Sequence, residues 1–213
     1  MSAPSTSPTP GTSPTPGTAG PAGPPTGPRA AGTSAEALRG LLGPELHEEV
    51  VRHFTATTEH PRPYVERQVT ECLRYLFLVS RYRERLAGLF LPVEQEIDEI
   101  WHYLILQTRE YRALCEQRLP GGFFIEHRSI GYEDYQERPG REQLAEEALR
   151  WIPLYRAEFG PYDEGALPHW TIVRFLHRNL GLSLAEIAAL EAAGEQEARQ
   201  GELSTGGRAG TAA

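Results

Sequence analysis

There is no lysine in this chain of 213 residues; its 21 basic side chains are all arginine. That absence removes a Schiff-base lysine, a lysine general base and a P-loop lysine from the chemistry on offer. A Gly-rich phosphate loop is missing too, as are HxxxH, HExxH and GxSxG. Cysteine is nearly absent. Cys72 and Cys115 form no CxxC and make no disulfide framework, and both lie among apolar residues, as small buried hydrophobes do. No run of about 18 apolar residues occurs, so no segment reads as a membrane span. The opening "MSAPSTSPTPG" has no basic stretch followed by an apolar one, and so no secretory signal is read there. The expectation is a soluble cytoplasmic protein.

Positive charge is in deficit, with a formal net charge of −8. An acidic chain lacks the basic face that phosphate neutralisation needs, so nucleic acid is not the expected partner, and neither is a membrane. The partner expected is a protein or a small molecule whose identity is not encoded. One local exception is "RYRER" at 81–85, where Arg81 and Arg85 stand one turn apart. They either grip one anion or are solvated and paired with nearby acids.

Large apolar side chains are scarce at both ends. Residues 1–33 are a Pro, Gly, Ser and Thr tract in which "TSPTPG" at 6–11 recurs at 12–17, with Arg29 as its one charge. Such a segment cannot bury enough surface to offset its ordering entropy. Residues 200–213 look similar. The expected organisation is a disordered tail at 1–33 serving as tether or spacer, one helical domain at 34–199 and a disordered tail at 200–213. The middle part is long enough to bury a core.

Within it, apolar residues recur at helical spacing. Ser34 is a candidate N-cap for a first stretch that Pro44 kinks or splits. A second helix is expected from Tyr64 to Phe90, with Val69, Cys72, Leu76, Val79, Leu86 and Phe90 as its stripe. A third runs from Pro92 to Leu119, where "PGG" stops it. Residues 123–140 have no helical period. Further helices are expected at 141–159, at 169–179 and from Ser183, which forms a capping box with Glu186. No set of strands is convincing. The expected fold is all-α, a single-domain bundle of five or six helices.

Chemistry concentrates in "DEIWHYLILQTREYRALC" at 98–115. On a continuous helix, Ile97, Trp101, Leu104, Thr108, Tyr111 and Cys115 form the core stripe. Asp98, His102 and Arg109 gather on its flank. Thirteen residues of straight helix span about 20 Å, and Cys115 points roughly 140° away from His102. Cys115 therefore cannot share a metal with His102 unless the helix breaks between them. Asp98 and His102 form an i, i+4 pair open to three readings. The carboxylate orients the imidazole and raises its basicity; or both bind one metal completed from another element; or His102 simply knits helices together. Glu99 and His102 spell ExxH, but a di-iron site needs a second ExxH, and none is present. Cys115 and His127 are a second candidate ligand pair, close in sequence if the chain folds back after "PGG"; otherwise His127 packs on Tyr111 or Trp101, or the segment is an ordered loop packed by Phe123, Phe124 and Ile125.

The stretch "EIDEIWHYLILQTREYRALCEQRLPGGFFIEH" resembles the signature of the bacterial glycine-rich-domain-containing-protein-like family. That pattern is roughly Val-Asp-x-x-Trp-His, Ile-Leu-x-Thr-x-x-Tyr, a Cys, then Gly-Phe-(Ile/Leu)-His-His. It falls here on Asp98, Trp101, His102, Ile105, Leu106, Thr108, Tyr111, Cys115, Phe124, Ile125 and His127. Related modules precede glycine-rich regions in plant proteins. The likeness covers residues 65–160. Two positions depart: Leu104 stands where many relatives have histidine, and Glu126-His127 where His-His is usual. Both departures reduce the histidines available to a metal. The resemblance implies the fold and directs attention to Asp98, Trp101 and His102; it implies no settled activity.

The function expected from the whole is a small helical binding or accessory protein with a ligand or single-metal site at the Asp98–His102 flank. The metal ligands would be His102, Asp98, His127 and Cys115, and the ion zinc or iron. The competing expectation is a metal-dependent enzyme, with His102 as ligand or general base, Asp98 orienting it and Arg109 holding an anionic substrate. A purely structural interaction module is the third.

Overall fold

Glycine and proline punctuate the first helical stretch. The structure is a computed structural model describing residues 33–87, 93–127 and 141–190, with backbone alone for 141–146. Ser34 caps α1 (Ala35–Leu42), its hydroxyl accepting from the Ala37 N–H at 3.1 Å. Gly43, at φ 89°, ends that helix and Pro44 begins α2 (Pro44–Thr57). Proline thus splits the stretch, because it suits a first turn but cannot continue a ladder. The two expected tails lie outside the described residues apart from Thr33, whose N–H donates to the Glu158 carbonyl at 2.6 Å.

Helix α3 (Arg62–Arg81) is central. Val65, Val69, Cys72, Leu73, Leu76, Phe77 and Leu78 are buried on it together with Gln68, Glu71 and Ser80. Burial nearly all round is what a helix packed on several sides shows. It ends earlier than its stripe predicts. Tyr82 leaves helical geometry (φ −116°, ψ 30°), and a single turn, α4 (Arg83–Leu86), follows. Contacts with Glu158 hold this corner: Tyr82 donates its hydroxyl proton to it at 2.5 Å and Arg81 pairs with it at 2.8 Å. Phe90 lies outside the described residues.

The third stretch departs most from expectation. In place of one continuous helix there is α5 (Gln95–Leu106), a break at Gln107 (φ −81°, ψ 58°), α6 (Thr108–Ala113) and a π-turn at Leu114–Arg118. Thr108, a stripe residue on the continuous helix, is exposed. After the break Tyr111 and Cys115 return to the core, 1% and 0% exposed.

Helix α7 (Arg141–Phe159) has the expected bounds. A 3-10 turn at Leu167–His169 precedes α8 (Thr171–Leu180), which therefore starts two residues later than expected. Ser183 and Glu186 form the capping box of α9 (Leu184–Ala189). That helix closes at Ala189, with Leu190 extended. The described residues form an all-α fold. Their one extended pairing is an isolated bridge between Val93 and Trp170. None of their helices is long and apolar enough to cross a membrane.

Two apolar clusters meet at α3. The first joins α1, α2, α5 and one side of α3 with Tyr111, Leu114, Cys115 and Ile125. The second joins Leu78 and Leu86 with α7, α8 and α9. Tyr75, Val93 and Phe159 pack against both. Glu71, fully buried on α3, reaches into the second cluster. It accepts from Arg74 at 2.9 Å, from the Trp170 indole at 2.9 Å and from the Tyr155 hydroxyl at 3.2 Å, and Arg67 lies 2.8 Å away.

Candidate metal centre

Helix α5 delivers Asp98 and His102 from successive turns of one face. Their side chains are 41% and 45% exposed, beside the buried row of Ile97, Trp101 and Leu104. A third group arrives because of "PGG". At Gly121 a Cβ would stand 2.2 Å from the Ser80 carbonyl oxygen, and the Gly121 N–H donates to the Ser80 hydroxyl at 2.8 Å. Gly122 takes φ 64°, which an L side chain adopts at a cost. These two residues turn the chain back so that Phe123–His127 returns to α5.

His127 Nε2 then lies 2.9 Å from Asp98 Oδ1. His102 Nδ1 lies 3.2 Å from Asp98 Oδ2 and 2.8 Å from the Asp98 backbone oxygen. The two imidazole centroids are 4.2 Å apart. Asp98, His102 and His127 thus each offer a ligand atom within 4.8 Å of the other two. The oxygens of Asp98 can only accept, so the imidazole nitrogens facing them carry protons. The His127 side chain is 12% exposed, packed edge-on against Trp101 at 4.3 Å and 73°. The Trp101 indole N–H donates to the Tyr111 hydroxyl at 2.8 Å, and that hydroxyl donates to the Ile125 carbonyl at 2.8 Å.

The site residues read from the sequence divide accordingly. Asp98 and His102 meet as their spacing predicts. His127, paired with Cys115 on sequence proximity, lies instead against Asp98. Cys115 is outside the group: it is fully buried, in one cluster with Tyr111 and Ile125. Burial pushes the Cys115 thiol up, whereas a metal ligand must be a thiolate. Cys72 is likewise buried and pushed up, with the Asp98 charge adding to the effect. Arg109 lies beyond the Gln107 break. With Arg112, Gln117 and Arg118 it lines a concavity of about 390 Å³ whose lining includes none of Asp98, His102 and His127. The helical phase that set Arg109 beside the pair assumed an unbroken helix. Arg81 is paired with Glu158, and the guanidiniums of Arg81 and Arg85 both lie 5.8 Å from the Tyr82 ring.

Among the buried polar groups that the sequence reading did not single out are Glu71 and His169. Glu71 had a usable signal, an acid inside an apolar run with Arg67 four residues before it and Arg74 three after. His169 had none. It is fully buried against the Tyr64 ring, 5.3 Å away, and neither of its ring nitrogens has a hydrogen-bond partner among the described residues. Its burial depends on α3, a hundred residues earlier in the chain.

Two imidazoles and one carboxylate are a donor set suited to borderline ions such as zinc and ferrous iron, and less to soft ones, which favour sulfur. Compared with family models, with curated proteins and with solved structures, the chain has no match.

Proposed function

We propose that this chain is a helical binding protein whose working centre is one divalent transition-metal ion, zinc or iron, held by Asp98, His102 and His127. Spacing carries the proposal. Tetrahedral metal–ligand bonds of about 2.0–2.1 Å put neighbouring donor atoms roughly 3.3–3.4 Å apart; here His102 and His127 lie 3.2 and 2.9 Å from separate oxygens of Asp98, and one donor atom of each residue lies within 4.8 Å of the others. An ion would replace the protons that now bridge Asp98 to each imidazole. The resemblance to the glycine-rich-domain-containing-protein-like family bears on the same positions, since its Asp-x-x-Trp-His and final His fall on Asp98, His102 and His127.

With Asp98 41% and His102 45% exposed, coordination positions on the solvent side would stay open. A carboxylate, imidazole or hydroxyl of a small molecule or partner protein would complete the shell there. The same opening favours a second reading, a metal-dependent enzyme. Three protein ligands and one water are the arrangement in which a bound ion makes hydroxide near neutral pH. His102 is then a ligand, with Asp98 beside it.

Titration with zinc, or anaerobically with ferrous iron, tests the centre. Wild-type protein is expected to bind about one equivalent and to release protons, so that the heat of binding differs between buffers. Asp98→Asn, His102→Ala and His127→Ala should each weaken binding by more than about tenfold. Uptake of less than about a tenth of an equivalent by wild-type protein would leave the three residues as a structural carboxylate–imidazole knot.

A further inference from the structure

We propose that Tyr111 and Cys115 are positioning residues for the metal centre, acting on Ile125, Tyr111 by a hydrogen bond to its carbonyl and Cys115 by packing, to hold His127 against α5. The proposal rests on the metal reading above and concerns how its third ligand is kept in place. Asp98 and His102 belong to one helix, whose ladder sets their relative position. His127 has no such support, because residues 123–127 form neither helix nor strand.

The segment is tied down at Ile125. Its carbonyl accepts from the Tyr111 hydroxyl at 2.8 Å, and Cys115 is buried in the same cluster. Tyr111 and Cys115 stand four residues apart, so both face the same strip of chain. Ile125 itself is buried in the first cluster. The Tyr111 hydroxyl has one proton to give and gives it to Ile125; its lone pair takes the Trp101 indole proton at 2.8 Å. Trp101 is the ring on which the His127 imidazole packs. One buried oxygen therefore ties down both the carbonyl two residues before His127 and the surface beneath His127. Cys115 contributes through its place in the core, with no bond to the ion.

Four variants and one spectrum decide the matter. Zinc affinity is measured by chelator competition at fixed pH, alongside thermal midpoints. Tyr111→Phe keeps the ring and removes both hydrogen bonds; it should weaken zinc about 10- to 100-fold in protein that remains folded. Cys115→Ala should weaken it in the same direction, and His127→Ala sets the affinity of the centre without its third ligand. Leu176→Ala, in the second cluster, should lower the thermal midpoint and leave zinc affinity within about twofold, because it shares no partner with the site. Cobalt-loaded wild-type protein should lack a thiolate-to-metal ultraviolet band. Folded Tyr111→Phe with wild-type affinity would overturn the proposal. So would a cobalt–thiolate band, or a Leu176→Ala variant that loses as much affinity as Tyr111→Phe. If Tyr111→Phe does not fold, an unchanged affinity in Cys115→Ala overturns it alone. Wild-type protein that binds neither zinc nor ferrous iron removes the metal reading and this inference together. Tight wild-type binding with both positioning variants unaffected removes this inference only.

Discussion

A histidine sealed from water sheds its charge, and His169 shows the consequence. Burial pulls its pKa down to about 4, helped by the nearby charges of Arg67 and His60. In the unfolded chain the ring takes a proton near its ordinary value of about 6.5. The folded state therefore binds fewer protons than the unfolded state between those values, and acid favours unfolding. The contribution of neutral His169 is complete above about pH 6.5 and is lost as pH falls towards 4, by roughly 3 kcal/mol. His47, also buried and shifted down chiefly by desolvation, acts in the same direction. Urea midpoints recorded from pH 7 to 4.5 should fall less steeply for His169→Phe than for wild-type protein. Equal slopes would show that another group governs the acid limb.

At the scale of elements, the turn at Gly121–Gly122 and the break at Gln107 decide where the chemistry sits. Gly121 cannot carry a side chain, because the atom in the way is a backbone oxygen. Gly121→Ala is expected to cost about 1–3 kcal/mol or more, read by thermal denaturation. In whatever folded protein remains, it should also weaken metal binding, since this turn brings His127 to Asp98. A variant as stable as wild type would mean that Ser80 and its carbonyl can move aside. The capping box makes a smaller claim. Ser183→Ala removes the hydroxyl that accepts the Glu186 N–H at 3.2 Å and should cost about 1 kcal/mol, seen as a lower melting temperature. Its effect should not reach the metal, because α9 belongs to the other cluster. That box was legible in the sequence, as were the split at Pro44 and the bounds of α7: capping, proline and periodicity are local physics. The Gln107 break was not legible, since "LILQTREY" has good helical spacing throughout. Across the interruption Trp101 on α5 donates to Tyr111 on α6, a contact between elements that local spacing does not encode.

Across the whole molecule, Glu71 links the two clusters. Its carboxylate is fully buried, yet Arg67, Arg74, Tyr155 and Trp170 all meet it, and Arg67 continues to Asp163 at 2.6 Å. Removing one partner of such a network strands the others in the core. Glu71→Ala is expected to lower stability by about 3–5 kcal/mol, measured as the urea midpoint. The loss should be largest in signals from Trp151 and Trp170, which lie in the second cluster. A drop no larger than that of an exposed substitution would mean that the arginines find water once the acid is gone.

By itself, the sequence determined the helical class, the Ser34 and Ser183 caps, and the Asp98–His102 pair. Each follows from residues within one or two turns of each other, where helix geometry converts spacing directly into distance. Only the tertiary structure decided the rest. It took His127 from Cys115 to Asp98, placed Arg109 in a concavity that Asp98, His102 and His127 do not line, and buried Glu71 and His169. Those outcomes depend on a glycine turn packed against Ser80, a helix break tied by a tyrosine hydroxyl, and contacts between residues about a hundred positions apart. Spacing along one helix carries no information about any of them.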